Sequence, residues 1–157
     1  MAPRLPTSSL RHGPWEQDIC FLIQRAARVV ARRFDDGLRP YGLTHGQFIL
    51  LGHISQSEPS TMTSLASLLA MDRATLTAAL KKLERNGFVR ISTRLPDRRV
   101  RKIAVTRQGR GLLGKTTPVW KHSNVELESL LPEIGLHAFR QKLSSLSMTA
   151  FLSSGAL

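Results

Sequence analysis

The segment TMTSLASLLAMDRATLTAALKKLERNGFV, residues 61–89, contains the strongest indication of the fold. Thr61 is placed to cap a short helix over about Met62–Leu69, and Asp72 is a good N-cap for the helix that follows a tight turn. Asn86 and Gly87 form a strong stop signal for that second helix. Two short helices joined by such a turn predict a helix-turn-helix motif. The residues that the second helix turns toward a core are Leu76, Ala79, Leu80 and Leu83.

A β-hairpin is predicted directly after this motif. Residues 88–93 and 101–106 alternate partly between apolar and polar side chains, as half-buried strands do. The sequence between them, RLPDRRV at residues 94–100, has the polar and basic character of an exposed hairpin tip. A hairpin in this place predicts the wing of a winged helix-turn-helix, over about residues 88–106.

Helices are also predicted on both sides of this lobe. Apolar residues recur at helical spacing over Trp15–Phe34, and Gly37 and Pro40 are expected to end that helix. Thr44–Gln47 is a capping-box pattern that opens a helix through Ile54.

The rest of the chain completes a mainly α fold with a small β-hairpin wing. Residues 55–60 are predicted as a loop, and Thr106 is expected to cap a long helix that starts at Arg107 and is interrupted at Pro118. A last helix is predicted from about Ile134 to Leu146 or beyond.

The composition favours a polyanionic partner. Lys and Arg number 23 against 11 Asp and Glu, a net charge of +12, which fits nucleic acid first and an anionic membrane surface second. No apolar run approaches the roughly 18 residues that cross a bilayer. Residues 1–14 contain prolines and no apolar signal-peptide core, so they predict a disordered arm. A cytoplasmic protein is therefore expected, in which the single Cys20 excludes an intramolecular disulfide framework or a multi-cysteine zinc site.

The second helix of the motif has the composition of a DNA-recognition helix. Small residues opposite its leucines let it approach the floor of the major groove, and Thr and Arg side chains can donate to base edges or phosphates. Thr75 either contacts DNA or supports the helix start, and phosphates are the expected contacts of Lys81, Lys82 and Arg85. A solvated helix face is the alternative interpretation. The candidate DNA contacts on this helix are Arg73, Ala74, Thr75, Thr77, Ala78 and Lys81.

Arginines are also concentrated in the predicted wing. A narrow tip that carries arginine gains from the negative potential of the minor groove. A solvated hairpin is the alternative, and Arg99 is the strongest single candidate for a contact. The wing arginines are Arg94, Arg98, Arg99 and Arg101.

These motifs stand together in one segment. They are Leu65-Ala66, Met71-Asp72-Arg73-Ala74-Thr75-Leu76-Thr77, Leu83-Glu84-Arg85-Asn86-Gly87-Phe88-Val89, Asp97-Arg98-Arg99, and Val105-Thr106 followed by Gly109. In them the stretch from Thr61 to Arg110 strongly resembles the MarR family of bacterial regulators, and the likeness extends more loosely over Trp15 to about Leu146. An aspartate-x-arginine wing motif at this distance after a helix-turn-helix is specific, whereas either motif alone is weak.

The resemblance implies a transcriptional regulator, more often a repressor, that works as a homodimer. Asp97 would orient Arg99 through a charge-assisted pair. The first and last helices would interlock, which makes residues 15–36 and 107–150 a dimerisation region and residues 38–106 the DNA-binding domain, with the recognition helix at about 72–86. Two such domains would meet a near-palindromic operator in double-stranded DNA.

Regulation by an effector is expected on the same grounds. Cys20 lies on the first helix, where the peroxide-sensing branch of the family places its reactive cysteine, but a small buried and inert apolar residue is the alternative. His45 and Phe48 stand in a segment where that branch has tyrosines, which argues against sensing. The other hypothesis is a small aromatic or anionic ligand in the cleft between dimer helices and binding lobe, with ordinary packing as the alternative. Its candidate lining is Trp15, Gln24, Arg28, Tyr41, His45 and Phe48.

Other functions have less support in the sequence. The histidines are scattered without paired ligand spacing, which argues against a metal site. No phosphate-binding loop, nucleophile elbow, carboxylate pair or cofactor motif supports an enzyme. Two alternatives remain open: a nonspecific nucleic-acid binder, and a winged-helix module that binds RNA or a protein.

Overall fold

The computed structural model describes residues 13–58, 60–93, 101–130 and 135–153. Its helices are α1 (Ile19–Leu38), α2 (His45–Gln56), α3 (Met62–Leu69), α4 (Arg73–Arg85), α5 (Arg107–Ser129) and α6 (Leu136–Ser153). Its strands are β1 (Ser60–Thr61), β2 (Val89–Thr93) and β3 (Arg101–Val105), which form an antiparallel sheet in the order β1-β3-β2. The predicted mainly α fold with a β-hairpin is confirmed. Residues 1–12 of the predicted arm, the hairpin tip at 94–100 and Ile134 lie outside the described residues.

The core lies where the helix-turn-helix packs on the sheet and on α2. The three leucines of α4 that helical spacing predicted as core residues are buried there. Ala79, which was predicted with them, is only half-buried. Burial of each leucine side chain contributes on the order of 2 kcal/mol, so this lobe has a core of its own. The buried residues that meet here include Leu50, Leu51, Ile54, Leu65, Leu76, Leu80, Leu83, Val89, Ile103 and Val105.

Side-chain caps begin the helices at the predicted residues. The hydroxyl of Thr44 accepts a hydrogen bond from the Gln47 N–H at 3.3 Å, and the Gln47 side chain accepts one from the Thr44 N–H at 3.0 Å. Thr61 and Ser64 form the same reciprocal pair at the start of α3. The turn before α4 is closed by Ala70 in the left-handed region, with φ of 49°. These bonds pair backbone donors that the first turn of a helix leaves free.

The predicted limits of the first helix are wrong. α1 starts at Ile19 behind an Asp18 cap, and it continues through Gly37 to Leu38. Gly37 allows close packing between helices, because a Cβ there would lie 3.1 Å from Cγ1 of Val119 on α5. Trp15 belongs to a separate 3-10 turn, Pro14–Gln17.

The predicted loop at residues 55–60 is also wrong at both ends. α2 continues to Gln56, and Ser60 and Thr61 form β1, which pairs with Ile103 and Lys102. A two-residue strand has no alternation that a single sequence can reveal, and the partner strand lies more than forty residues away along the chain.

The predicted interruption of α5 at Pro118 is not found, since the helix continues through it. The hydroxyls of Thr116 and Thr117 donate to the carbonyls of Leu112 and Leu113 at 2.9 and 2.7 Å, which adds bonds in the preceding turn. Gly114, whose carbonyl loses its backbone partner to the proline, is exposed, so water can bind that carbonyl.

Candidate nucleic-acid interface

The start of α4 is fixed by Asp72. One carboxylate oxygen accepts from the Thr75 N–H at 2.8 Å, and the other accepts from the Thr75 hydroxyl at 2.6 Å. The Thr75 hydroxyl, followed by the Thr75 N–H, lowers the pKa of Asp72, so the cap stays ionised at neutral pH. The structure therefore gives Thr75 the capping role that the sequence left open beside DNA contact.

The exposed face of α4 presents small and basic side chains. Arg73, Ala74, Ala78 and Lys81 are exposed opposite the buried leucines, which matches the predicted candidate contacts. Arg73 reaches only a 3.5 Å contact with the Thr63 hydroxyl, so its guanidinium keeps donors free for another partner.

Thr77 differs from the other candidates on this face. It is half-buried, and its hydroxyl donates to the Arg73 carbonyl at 2.6 Å. The proton is thereby committed to the helix, and the oxygen keeps only its acceptor capacity for a base edge. Thr77 can therefore accept from an amino group of adenine or cytosine, or place its methyl against thymine.

The base of the wing lies beside α4. Arg101 stands opposite Thr93 at the open end of the β2–β3 ladder and is exposed. With Thr77, Lys81 and Glu84 it lines a pocket of about 280 Å³ between the helix and the hairpin. The structure thus brings Arg101 beside α4, whereas four other wing residues lie outside the described residues: Arg94, Asp97, Arg98 and Arg99.

Glu84 is a carboxylate on the same side of α4 as Lys81, and the sequence did not indicate it as part of the site. Its Oε1 accepts a hydrogen bond from the Ile91 N–H at 3.2 Å, which ties the last turn of α4 to β2. Helical spacing alone could not reveal this contact, because it depends on how the hairpin folds back.

The candidate effector residues fall into separate places. Cys20, Gln24 and Arg28 lie on successive exposed turns of α1, where Nε2 of Gln24 is 3.2 Å from Sγ of Cys20 and Arg28 is 3.5 Å from Oε1 of Gln24. The alternative of a buried Cys20 does not hold in a single chain, because Cys20 is exposed. Trp15 is 81% exposed and Tyr41 half-buried.

A cavity of about 450 Å³ opens between α2 and α5. Phe48 lines it and packs against Trp120 with ring centroids 5.7 Å apart. Of the predicted effector residues, only Phe48 lines this cavity; the sequence did not indicate the rest of the lining, because α5 approaches α2 only in the folded chain. The other lining residues are Ile49, Gly52, His53, Ser55, Gln56, Leu113, Gly114, Thr117 and Trp120.

His45 is held in a partly buried site at the start of α2. Its ring lies 4.6 Å from that of Phe34, and its backbone N–H donates to Asp35 at 2.6 Å. Burial lowers the pKa of His45 below its ordinary value of 6.5, while the Asp35 charge raises it in part. The neutral imidazole is therefore the form that the folded chain prefers.

We expect His45 to make stability depend on pH. Since its folded pKa lies below the unfolded 6.5, the stabilisation is complete above 6.5 and is lost as the pH falls from 6.5 toward the folded pKa. His45→Phe keeps a ring against Phe34 and removes the titration. Urea unfolding at pH 7.5 and 5.5 should show a smaller loss of stability in His45→Phe than in the wild type; equal losses would contradict the assignment.

Metal and membrane sites find no support in the described part of the chain. No group of three or more His, Cys, Asp or Glu side chains is arranged there to hold a metal ion. None of the helices described has both the length and the apolar character needed to cross a bilayer.

The fold and this surface define a winged helix-turn-helix protein, and comparisons with known proteins agree. A family model described as the MarR family matches residues 43–100. The structure of the M. tuberculosis transcriptional regulator MosR in complex with DNA is 33% identical with a TM-score of 0.78, over 90% of this chain and all of that one. The chain belongs to the MarR family of transcriptional regulators.

Two curated relatives match a smaller part of the chain. The HTH-type transcriptional regulator TtmR of Methylorubrum extorquens is 35% identical over 64% of this chain, and SarZ of Staphylococcus saprophyticus is 30% identical over 62%. The chain matches about half the length of TtmR (51%) and about two thirds of the length of SarZ (66%).

Proposed function

We propose that the chain is a sequence-specific, double-stranded DNA-binding transcriptional regulator, with α4 in the major groove. The observation that carries this is the α4 surface: Ala74 and Ala78 allow close approach, and Arg73, Lys81 and Arg101 surround them with positive charge. The DNA in the MosR complex supports the same use of the fold. In this proposal Arg94, Arg98 and Arg99 approach the minor groove with Asp97 orienting Arg99, as the family resemblance implies.

The proposal includes a homodimer on a near-palindromic operator. α1 and α6 carry large apolar side chains that one protomer leaves in solvent, and exposed apolar surface of this kind marks an interaction site. Residues 15–36 and 107–150 are assigned to the dimerisation region and residues 38–106 to the DNA-binding domain. The exposed side chains on the two helices are Ile19, Phe21, Leu22, Ile23, Val29, Phe139, Leu143 and Leu146.

Regulation is proposed through an effector that favours one spacing of the two binding lobes. The cavity between α2 and α5 supports a small aromatic ligand, since Phe48 and Trp120 form its aromatic wall. The described lining contains His53 but no Lys or Arg, so a permanent positive charge for an anionic group would come from elsewhere, such as an α1 arginine of a second copy. Oxidation of Cys20 is a second route, because the thiol is exposed. Repression is the proposed mode.

The same proposal assigns the chain no catalytic step and places it in the cytoplasm, with access to DNA. Its matched relatives are named as transcriptional regulators. A nonspecific binder and a protein or RNA platform are the outcomes that the DNA experiment must separate.

The test is fluorescence anisotropy with DNA from upstream of the gene and with scrambled DNA, over a salt series. The wild type should prefer the upstream DNA by about 10³-fold. Ala78→Leu changes no charge but blocks close approach to the groove, so it should reduce that preference by tenfold or more, on the order of a lost base contact. Arg99→Ala should also reduce it.

Lys82→Ala is the matched control, because Lys82 is exposed on the same helix and is expected on phosphates. It should weaken binding to both DNAs alike. Equal, steeply salt-dependent binding of the wild type to both DNAs would favour a nonspecific binder. If neither the wild type nor Ala78→Leu bound either DNA, a protein platform would be favoured.

A further inference from the structure

Glu58 lies two residues before β1, a strand of two residues that is shorter than its neighbour β3. In the β1–β3 ladder Ser60 is opposite Ile103 and Thr61 opposite Lys102, so the next position on the same edge places Glu58 opposite Val105. β1 begins only at Ser60. Val105 is buried, and its backbone N–H and C=O on that edge need partners other than a strand.

Two side chains supply those partners. Oε1 of Glu58 accepts from the Val105 N–H at 2.7 Å, and Nη1 of Arg110 donates to the Val105 carbonyl at 2.8 Å. The same Nη1 lies 3.3 and 3.4 Å from the two carboxylate oxygens of Glu58. Glu58 and Arg110, here called the Glu58–Arg110 clamp, therefore replace one rung of the sheet and join it to the first turn of α5.

The opposite side of that turn is fastened as well. The Thr106 N–H donates to the Phe88 carbonyl at 3.0 Å, and the Thr106 hydroxyl donates to the Gly87 carbonyl at 2.6 Å. Gly87 and Phe88 lie two and three residues after the end of α4, so this side ties the start of α5 to the end of the recognition helix. α5 therefore leaves the winged lobe between two hydrogen-bonded attachments.

We infer that Glu58 and Arg110 are positioning residues that fix the direction in which α5 leaves the winged lobe. In a dimer held by helical segments outside that lobe, this direction sets the distance between the two recognition helices. The inference rests on the proposed function for its consequence on DNA, but the direction of α5 can be measured without DNA.

A purely stabilising ion pair is the competing explanation. Both side chains keep access to solvent, with 57% of Arg110 and 32% of Glu58 exposed. Exposed ion pairs contribute little to stability, and their loss has no reason to change the angle between two parts of a folded chain. The direction of α5 and the free energy of unfolding, measured separately, therefore distinguish the two explanations.

Glu58→Gln is the informative substitution. The amide oxygen can still accept from the Val105 N–H, but the charge that pairs with Arg110 is gone. Loss of a negative charge from a chain of net charge +12 should by itself strengthen attraction to any DNA. The clamp instead predicts that binding to the operator weakens by about tenfold, while binding to scrambled DNA is unchanged or tighter. Asp36→Asn is the control, since it removes the same charge from the exposed Asp36–Arg39 pair.

Arg110→Gln tests the other half of the clamp. It removes a positive charge, which weakens binding to all DNA to some extent. Arg107→Gln removes the same charge from an exposed side chain in the same turn of α5. The operator preference, as the ratio of the two affinities, should fall in Arg110→Gln and stay at the wild-type value in Arg107→Gln.

The decisive measurement is the distance between spin labels at positions 78 on α4 and 121 on α5, both exposed. Labels go on Ala78→Cys and Lys121→Cys in a Cys20→Ser background, with labelled chains diluted in unlabelled ones. Glu58→Gln and Arg110→Gln should shift or broaden the distance distribution, and the two controls should not. Unchanged distributions would overturn the inference whatever the DNA results. A wild type without operator preference would overturn the proposed function, and the distances would still decide the clamp.

Discussion

Gly109→Ala is expected to destabilise the protein by about 3 kcal/mol, at the upper end of the cost of overpacking a core. A Cβ at this position would lie 2.2 Å from the Phe88 carbonyl oxygen and 2.8 Å from Cγ1 of Val105. The Phe88 carbonyl cannot move away freely, because it already accepts from the Thr106 N–H at 3.0 Å. The clash is therefore with fixed backbone. Urea unfolding followed by circular dichroism measures the loss.

Gly111→Ala is the matched control two residues further along α5. A Cβ at Gly111 would meet nothing within 4 Å, and the position is exposed. Alanine there should stabilise the helix by about 0.5–1 kcal/mol, because glycine loses more backbone entropy on folding. Two substitutions of the same chemistry in one helix should thus have opposite signs. A similar small effect of both would show that the Phe88 carbonyl and α5 do not approach as closely as the structure has them.

Local chemistry explains which elements the sequence predicts well. Thr44, Thr61, Asp72 and Thr106 start helices where they were predicted to, because each cap is a hydrogen bond between residues three apart. The leucines of α4 were predicted from helical spacing for a similar reason, since that spacing is a property of the helix itself.

Contacts between distant segments explain what the sequence could not predict. Gly37 was interpreted as a stop signal, but its role depends on Val119 in another helix. β1 exists only because β3 pairs with it, and Glu58 acts on Val105, 47 residues away. A single sequence contains the residues of such pairs without indicating that they meet.

In the candidate site, too, the sequence predicted the features that depend on helical spacing and missed side-chain contacts. The exposed face of α4 followed from the helical period, so Arg73, Ala74, Ala78 and Lys81 were placed correctly on the surface. The hydroxyls of Thr75 and Thr77 are bonded to Asp72 and to the Arg73 carbonyl. Support of the helix start was one of the two roles predicted for Thr75, whereas the bond of Thr77 was not predicted. The DNA contacts themselves stay predictions.

The combined substitution Leu22→Gln and Leu143→Gln is expected to convert the protein to a monomer with greatly weakened operator binding. In one protomer Leu22 on α1 is 45% exposed and Leu143 on α6 is 40% exposed, so a large part of each side chain is in contact with solvent in the single chain. In the proposed dimer the exposed part of each side chain would be buried, and each lost leucine would remove on the order of 1 kcal/mol per protomer of apolar burial. Analytical ultracentrifugation over micromolar concentrations measures the change of mass.

Operator affinity should fall with the dimer, by about a hundredfold or more, because two linked binding lobes gain affinity that separate lobes do not have. Leu68→Gln is the control: Leu68 is 57% exposed on α3, outside the proposed dimerisation region, and its replacement should leave the mass unchanged. Circular dichroism of the double variant must show the helices retained, since some homodimers have no stable folded monomer. A double variant that remains dimeric at micromolar concentration would assign the interface to another surface. A folded monomer with wild-type operator affinity would instead show that one winged lobe is enough, and the near-palindromic operator would then lose its physical basis.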